Sequence, residues 1–171
     1  VNYIATLRLI SASSIVAVSG GFRLYVAFLL AGKEPSITLP IAAILIVYAT
    51  YTLDRAVETK EDEINRQEEQ NASKKLAIFL VSIFFLIAIL ILMKNKIFPL
   101  IAFFPLTMGF LYSKGITIGK ISLRLKGCMG AKNFVVAFAW AATTSAFIYP
   151  AEKLQLLLIF IFFSGFLLLQ E

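Results

Sequence analysis

The chain has 171 residues, 60% of them hydrophobic, with a mean hydropathy of +0.87 and a formal charge of +6. It contains one cysteine, Cys128, and no histidine, which excludes intrachain disulfides, Cys/His zinc sites and Ser-His-Asp catalysis. The apolar residues come in long runs and lack the alternation of a lipid-facing barrel strand, so the expected class is all-α, a polytopic transmembrane helical bundle.

Six spans are predicted within a single transmembrane domain. The first, Arg8 to Ala31, is small-sided at Ser11, Ser13, Ser14, Ser19, Gly20 and Gly21, a composition that lets helices approach closely. It also contains Arg23. An intramembrane cation is a functional candidate by default, but Ala31 is only eight residues on, about 12 Å along a helix, so snorkelling toward the non-cytoplasmic interface is expected. The second span runs from Ile37 to Leu53, the third from Leu76 to Met93 and the fourth from Ile97 to Tyr112. Pro105 lies inside the fourth and predicts a kink, because proline removes a helical hydrogen bond. The fifth covers Phe134 to Tyr149 and the sixth Leu154 to Leu169, with Pro35 and Pro150 suited to turns. Trp140, in the fifth, fits either the lining of an apolar cavity or ordinary bundle packing. Cys128 has no base suited to activating it. A start at Val1 and a stop at Glu171 directly after an apolar run give the expectation of a chain truncated at its C-terminus.

Basic residues set the expected orientation. The loops after the second and fourth spans carry ten: Arg55, Lys60, Arg66, Lys74, Lys75, Lys114, Lys120, Arg124, Lys126 and Lys132. The opposite side has four, Lys33, Lys94, Lys96 and Lys153. The positive-inside rule places both long loops, and the N-terminus, in the cytoplasm. Basic residues that flank apolar segments are accounted for by membrane topology, so nucleic acid is not an expected partner.

Seven of the ten acids follow the second span: Asp54, Glu58, Glu61, Asp62, Glu63, Glu68 and Glu69. If the helix continues past Leu53, Asp54, Glu58 and Asp62 fall at i, i+4 and i+8 on one face. A carboxylate row at a membrane surface suits Mg²⁺, which takes one or two carboxylates and fills its shell from substrate phosphates, hence a diphosphate. The competing reading is a solvated charged helix and loop between two spans. The second loop, from Tyr112 and Ser113 to Lys132 and Asn133, is cationic and has no acid. Facing a metal-loaded acidic loop it would complete a clamp on a diphosphate, whereas singly its cations also suit lipid headgroups. Ile116, Ile118, Ile121, Leu123 and Leu125 alternate with other residues and are placed at the interface beneath this charge.

The run Tyr51-Thr-Leu-Asp54-Arg-Ala-Val-Glu58-Thr-Lys-Glu-Asp62, then Leu111-Tyr112-Ser113, Arg124-Leu-Lys126 and Lys132-Asn133, resembles the UbiA-type intramembrane prenyltransferases over most of the chain. The resemblance implies nine helices, of which six are visible, and transfer of a prenyl group from a polyprenyl diphosphate to an acceptor, with Mg²⁺ held by two aspartate-rich motifs in cytoplasmic loops. It implies Asp54, Glu58 and Asp62 as metal ligands, with Glu58 and Asp62 on the last two acids of the first motif. Arg55 stands where the family has its first aspartate and cannot ligate a metal. It further implies Arg66, Lys126 and Lys132 as diphosphate contacts and Tyr112 near the reacting centre. The second motif would follow Glu171, so the residues given hold half of the metal site and are expected to be inactive alone, with the missing C-terminal half as partner. The visible motifs do not specify the acceptor.

Two other classes also place charged loops at a membrane surface. A CDP-alcohol phosphatidyltransferase requires Asp-Gly-x-x-Ala-Arg and a glycine-spaced acid pair, which the sequence lacks. A transporter or non-catalytic scaffold would be favoured by acids buried in several spans, whereas these acids lie in or beside loops.

Overall fold

The computed structural model describes residues 3–34, 36–56, 73–114, 116–118, 121–123, 131–149 and 151–170. The helices are α1 (Tyr3–Ser11), α2 (Ser14–Leu30), α3 (Thr38–Ala56), α4 (Lys74–Lys94), α5 (Phe103–Lys114), α6 (Ala131–Phe147) and α7 (Lys153–Gln170). A 3₁₀ turn, Pro99–Ala102, leads into α5. Strands β1 (Ile116–Ile118) and β2 (Ile121–Leu123) pair antiparallel, Ile116 opposite Leu123 and Ile118 opposite Ile121. The alternating isoleucine stretch therefore forms a small hairpin that pairs apolar residues with apolar ones.

Among the described residues, three segments are long and apolar enough to cross a membrane: Tyr3–Leu30, α3 and α4. The other three expected spans are shorter apolar helices, Pro99–Leu111, Asn133–Phe147 and Lys153–Leu169. Pro105 does not kink a long fourth helix. The α-helix begins only at Phe103, which leaves Pro105 in the first turn, where its missing N–H is one that a helix start leaves unbonded anyway.

The first span is broken at Ala12–Ser13, between α1 and α2. There the Tyr48 hydroxyl of α3 donates to the Ile10 carbonyl at 2.8 Å, which satisfies a backbone acceptor that hydrocarbon would leave bare. At its far end α2 closes through Gly32, with φ at +64°. The Lys33 N–H reaches Phe28 O at 2.9 Å and the Gly32 N–H reaches Leu29 O at 3.0 Å, a Schellman motif that uses glycine's access to the left-handed region. Helix α4 ends in the same way, with Lys96 at φ +58° and the Ile97 N–H on Leu92 O at 2.9 Å.

Helix α3 packs against both α2 and α4, while α6 packs against α5 and α7. Alanines fill these contacts: Ala27, Ala42, Ala49, Ala77, Ala88, Ala102 and Ala141 have no exposed surface. The outward surface is apolar, with Ile15, Phe22, Phe79, Leu86, Leu90, Leu157 and Phe162 all exposed, the surface that lipid accepts and water does not. Several hydroxyls in the helices turn back onto their own backbone, as Thr50 does to Ile46 O (2.8 Å), Thr143 to Ala139 O (2.7 Å) and Ser145 to Ala141 O (2.9 Å), which satisfies their protons within the helix, whereas the buried hydroxyls of Ser13 and Thr52 have no hydrogen-bond partner.

The small side of α2 is where α3 comes closest. A Cβ placed on Gly20 would stand 2.6 Å from Val47 Cγ2, and one on Gly21 would stand 2.5 Å from Ile44 Cγ1 and 3.1 Å from the Pro40 carbonyl. Gly21→Ala is expected to destabilise the bundle by about 1–3 kcal/mol, because a backbone atom cannot move aside as a side chain can. Gly109→Ala and Gly165→Ala, where a Cβ meets nothing within 4 Å, should be neutral or stabilising. Reversible unfolding in mixed micelles checks the contrast.

Candidate functional site

The acidic end of α3 is built by three apolar residues and one hydrogen bond. Ala56, the last residue of α3, is buried in a cluster with Leu9 of α1 and Ala77 of α4. The Ser73 N–H, at the head of α4, donates to Thr6 Oγ1 of α1 at 3.0 Å, and the Ser73 hydroxyl accepts from the Leu76 N–H at 3.4 Å as N-cap. The chain thus leaves α3 and re-enters at α4 beside the same stretch of α1. Asp54, two residues before Ala56, is exposed on the last turn of α3, with the half-buried Arg55 beside it. A carboxylate at a helix C-terminus faces the negative end of the helix dipole, and Arg55 opposes that charge. Glu58, Asp62 and Arg66 lie outside the described residues, as does Lys126. Among the described residues no three acids, histidines or cysteines gather as a metal-binding group.

Tyr112 and Lys132 are placed by their backbones, in the last turn of α5 and the first turn of α6. The position of Lys132 relative to Asp54 follows from contacts elsewhere. Gly20 meets Val47 while Gly21 meets Ile44 and Pro40, so α2 and α3 run antiparallel. Lys33, just past α2, donates from Nζ to the Ile148 carbonyl just past α6 at 2.8 Å, so α2 and α6 end together. The start of α6, with Lys132, therefore lies at the end of the bundle where α3 finishes with Asp54. Tyr112 closes α5, which packs against α6.

A second set of residues lies deeper. Between α2, α3 and α6 is a cavity of about 20 Å³ measured by water centres, lined by Gly20 and Arg23 of α2, Val47 and Tyr51 of α3, and Trp140 and Thr144 of α6, among others. Arg23 does not snorkel outward. Its Nη2 donates to Ser19 Oγ at 3.0 Å, and Ser19 passes its own proton to Val16 O at 2.8 Å. Helical side chains lean toward the helix N-terminus, and here that lean carries the guanidinium away from the Leu30 end and against the cavity wall. Tyr51 and Trp140 stack nearly parallel, 7° apart with centroids separated by 6.0 Å. Trp140 is thus both a packing residue and a cavity wall, but room for about one water does not hold an isoprenoid chain.

Sequence reasoning missed the way Arg23, Tyr51, Trp140 and Thr144 converge. The one local signal was Ser19 four residues before Arg23, the spacing at which helix neighbours meet. No family model matches this chain, and no curated protein or solved structure matches it.

Proposed function

We propose that the chain is a Mg²⁺-dependent intramembrane prenyltransferase of the UbiA type, with six spans and both long charged loops on the cytoplasmic side. The observation that carries this reading is the exposed Asp54 on the last turn of a membrane-length helix, at the same end of the bundle as the start of α6 with Lys132. An exposed carboxylate offers hard oxygen donors, which fits Mg²⁺. Glu58 and Asp62 continue its spacing in the sequence.

On this reading Asp54, Glu58 and Asp62 hold Mg²⁺, which when bound neutralises charge on the diphosphate. Arg66, Lys126 and Lys132 hold the phosphate oxygens as the carbon–oxygen bond breaks, acting where negative charge develops. Tyr112 stands near the reacting carbon, and apolar helices keep water from the allylic cation until the acceptor captures it. A transporter reading would require acids buried within the spans, and among the described helices the one acid is Asp54, exposed on the last turn of α3.

Glu58→Ala and Asp62→Ala are expected to lower Mg²⁺-dependent transfer from a labelled geranylgeranyl-type diphosphate by on the order of 100-fold or more, with helical content unchanged by circular dichroism. Unchanged turnover in both variants removes this loop from the mechanism.

A further inference from the structure

We propose that α1 is a hinged flap, which swings away from α3 at the Ala12–Ser13 break and opens two sealed hydroxyls to water from the membrane surface. The inference does not depend on prenyl transfer.

Two buried polar groups carry it. Ser13 Oγ and Thr52 Oγ1 have no hydrogen-bond partner, and each residue has only 1% of its surface exposed. Ser13 stands at the N-cap of α2, yet its hydroxyl caps nothing there, although serine is favoured at that position for the bond it makes. The Tyr48 hydroxyl lies beside Thr52 without hydrogen-bond geometry, and its proton goes to Ile10 O. Both orphan hydroxyls belong to one level of the bundle. Leu9 clusters with Ala56 and Gly21 meets Ile44, an antiparallel register in which Ser13 and Thr52 each lie one turn inward from Leu9 and Ala56. A buried hydroxyl without a partner costs its full desolvation, so the closed position of α1 is opposed at this level.

The same place can bend. The first span is helical on either side of Ala12 and Ser13, and residues at the ends of elements are those that absorb a hinge's change in backbone angles. The bonds that hold α1 include Tyr48 Oη to Ile10 O at 2.8 Å and the Ser73 N–H to Thr6 Oγ1 at 3.0 Å. Tyr48 thus favours the closed position and the two orphan hydroxyls oppose it. Thr52 is four residues, or about 6 Å, from the end of α3 at Ala56, so water at the surface has a short way to travel. A swing of α1 would release Ser73 from Thr6 and uncover Ala56, and so would alter access to the end of α3, where Asp54 is exposed.

Leu7 and Phe22 are both exposed on the outward surface and straddle the break, about 22 Å apart along the span, so a swing of α1 away from α3 shortens their separation. Nitroxides attached at Leu7→Cys and Phe22→Cys in a Cys128→Ser background, in lipid nanodiscs, are expected to give two distances by double electron–electron resonance, the shorter from the swung form. Ser13→Ala combined with Thr52→Val removes both orphan hydroxyls and should abolish the shorter distance. Tyr48→Phe, which loses the bond to Ile10 O, should raise its share severalfold. A single distance in the unmodified protein that Tyr48→Phe does not shift would overturn the proposal. So would two distances whose shares are the same in the variant without the two hydroxyls. If Tyr48→Phe does not fold, the comparison of the unmodified protein with that double variant decides the matter, and identical distances overturn the hinge.

Discussion

In hydrocarbon an apolar side chain gains little by leaving lipid for another helix, so helices associate through close fit and satisfied polar groups. The closest fit here is between Gly20 and Gly21 of α2 and the Val47, Ile44 and Pro40 positions of α3. It holds the two helices antiparallel and near enough for the rest to follow. Tyr48 of α3 reaches the Ile10 carbonyl at the break in the first span. Ala56 settles against Leu9 and Ala77, and Asp54 is left exposed at the end. Loosening this contact would shift the acidic end of α3 and the wall that Arg23 faces together.

The chain carries charge at two depths, and each is managed differently. At the end of α3 the Asp54 carboxylate stays exposed. Within the bundle Arg23 is folded back onto Ser19, beside the cavity that the stacked Tyr51 and Trp140 also line. Among the described residues the interior is held by alanines, glycines and rings around a water-sized cavity.

The element order was largely legible in the sequence, because long apolar runs separated by charge leave helices as the available solution in lipid. The boundaries that departed did so for local reasons. At Pro105 the rule that proline kinks a helix applies to interiors, and the helix start moved to Phe103 instead. At Arg23 the expectation counted distance to the interface and not the lean of helical side chains toward the N-terminus. The sharing of one end by Asp54 and Lys132 was expected from the distribution of basic residues, and the Lys33 to Ile148 contact, across 115 residues of chain, fits it. The cavity was illegible, since its walls come from three helices.

The central claim is that the acidic end of α3 and the basic loop before α6 occupy one side of a membrane, the side the positive-inside rule makes cytoplasmic. The most direct measurement is cysteine labelling with an impermeant reagent, in a Cys128→Ser background. Ser73→Cys and Ser122→Cys report the two loops, and Ser36→Cys reports the opposite side. The account predicts that the first two are protected in intact cells and react in inverted vesicles, with Ser36→Cys behaving in reverse. Labelling of Ser73→Cys and Ser122→Cys from opposite sides would contradict it.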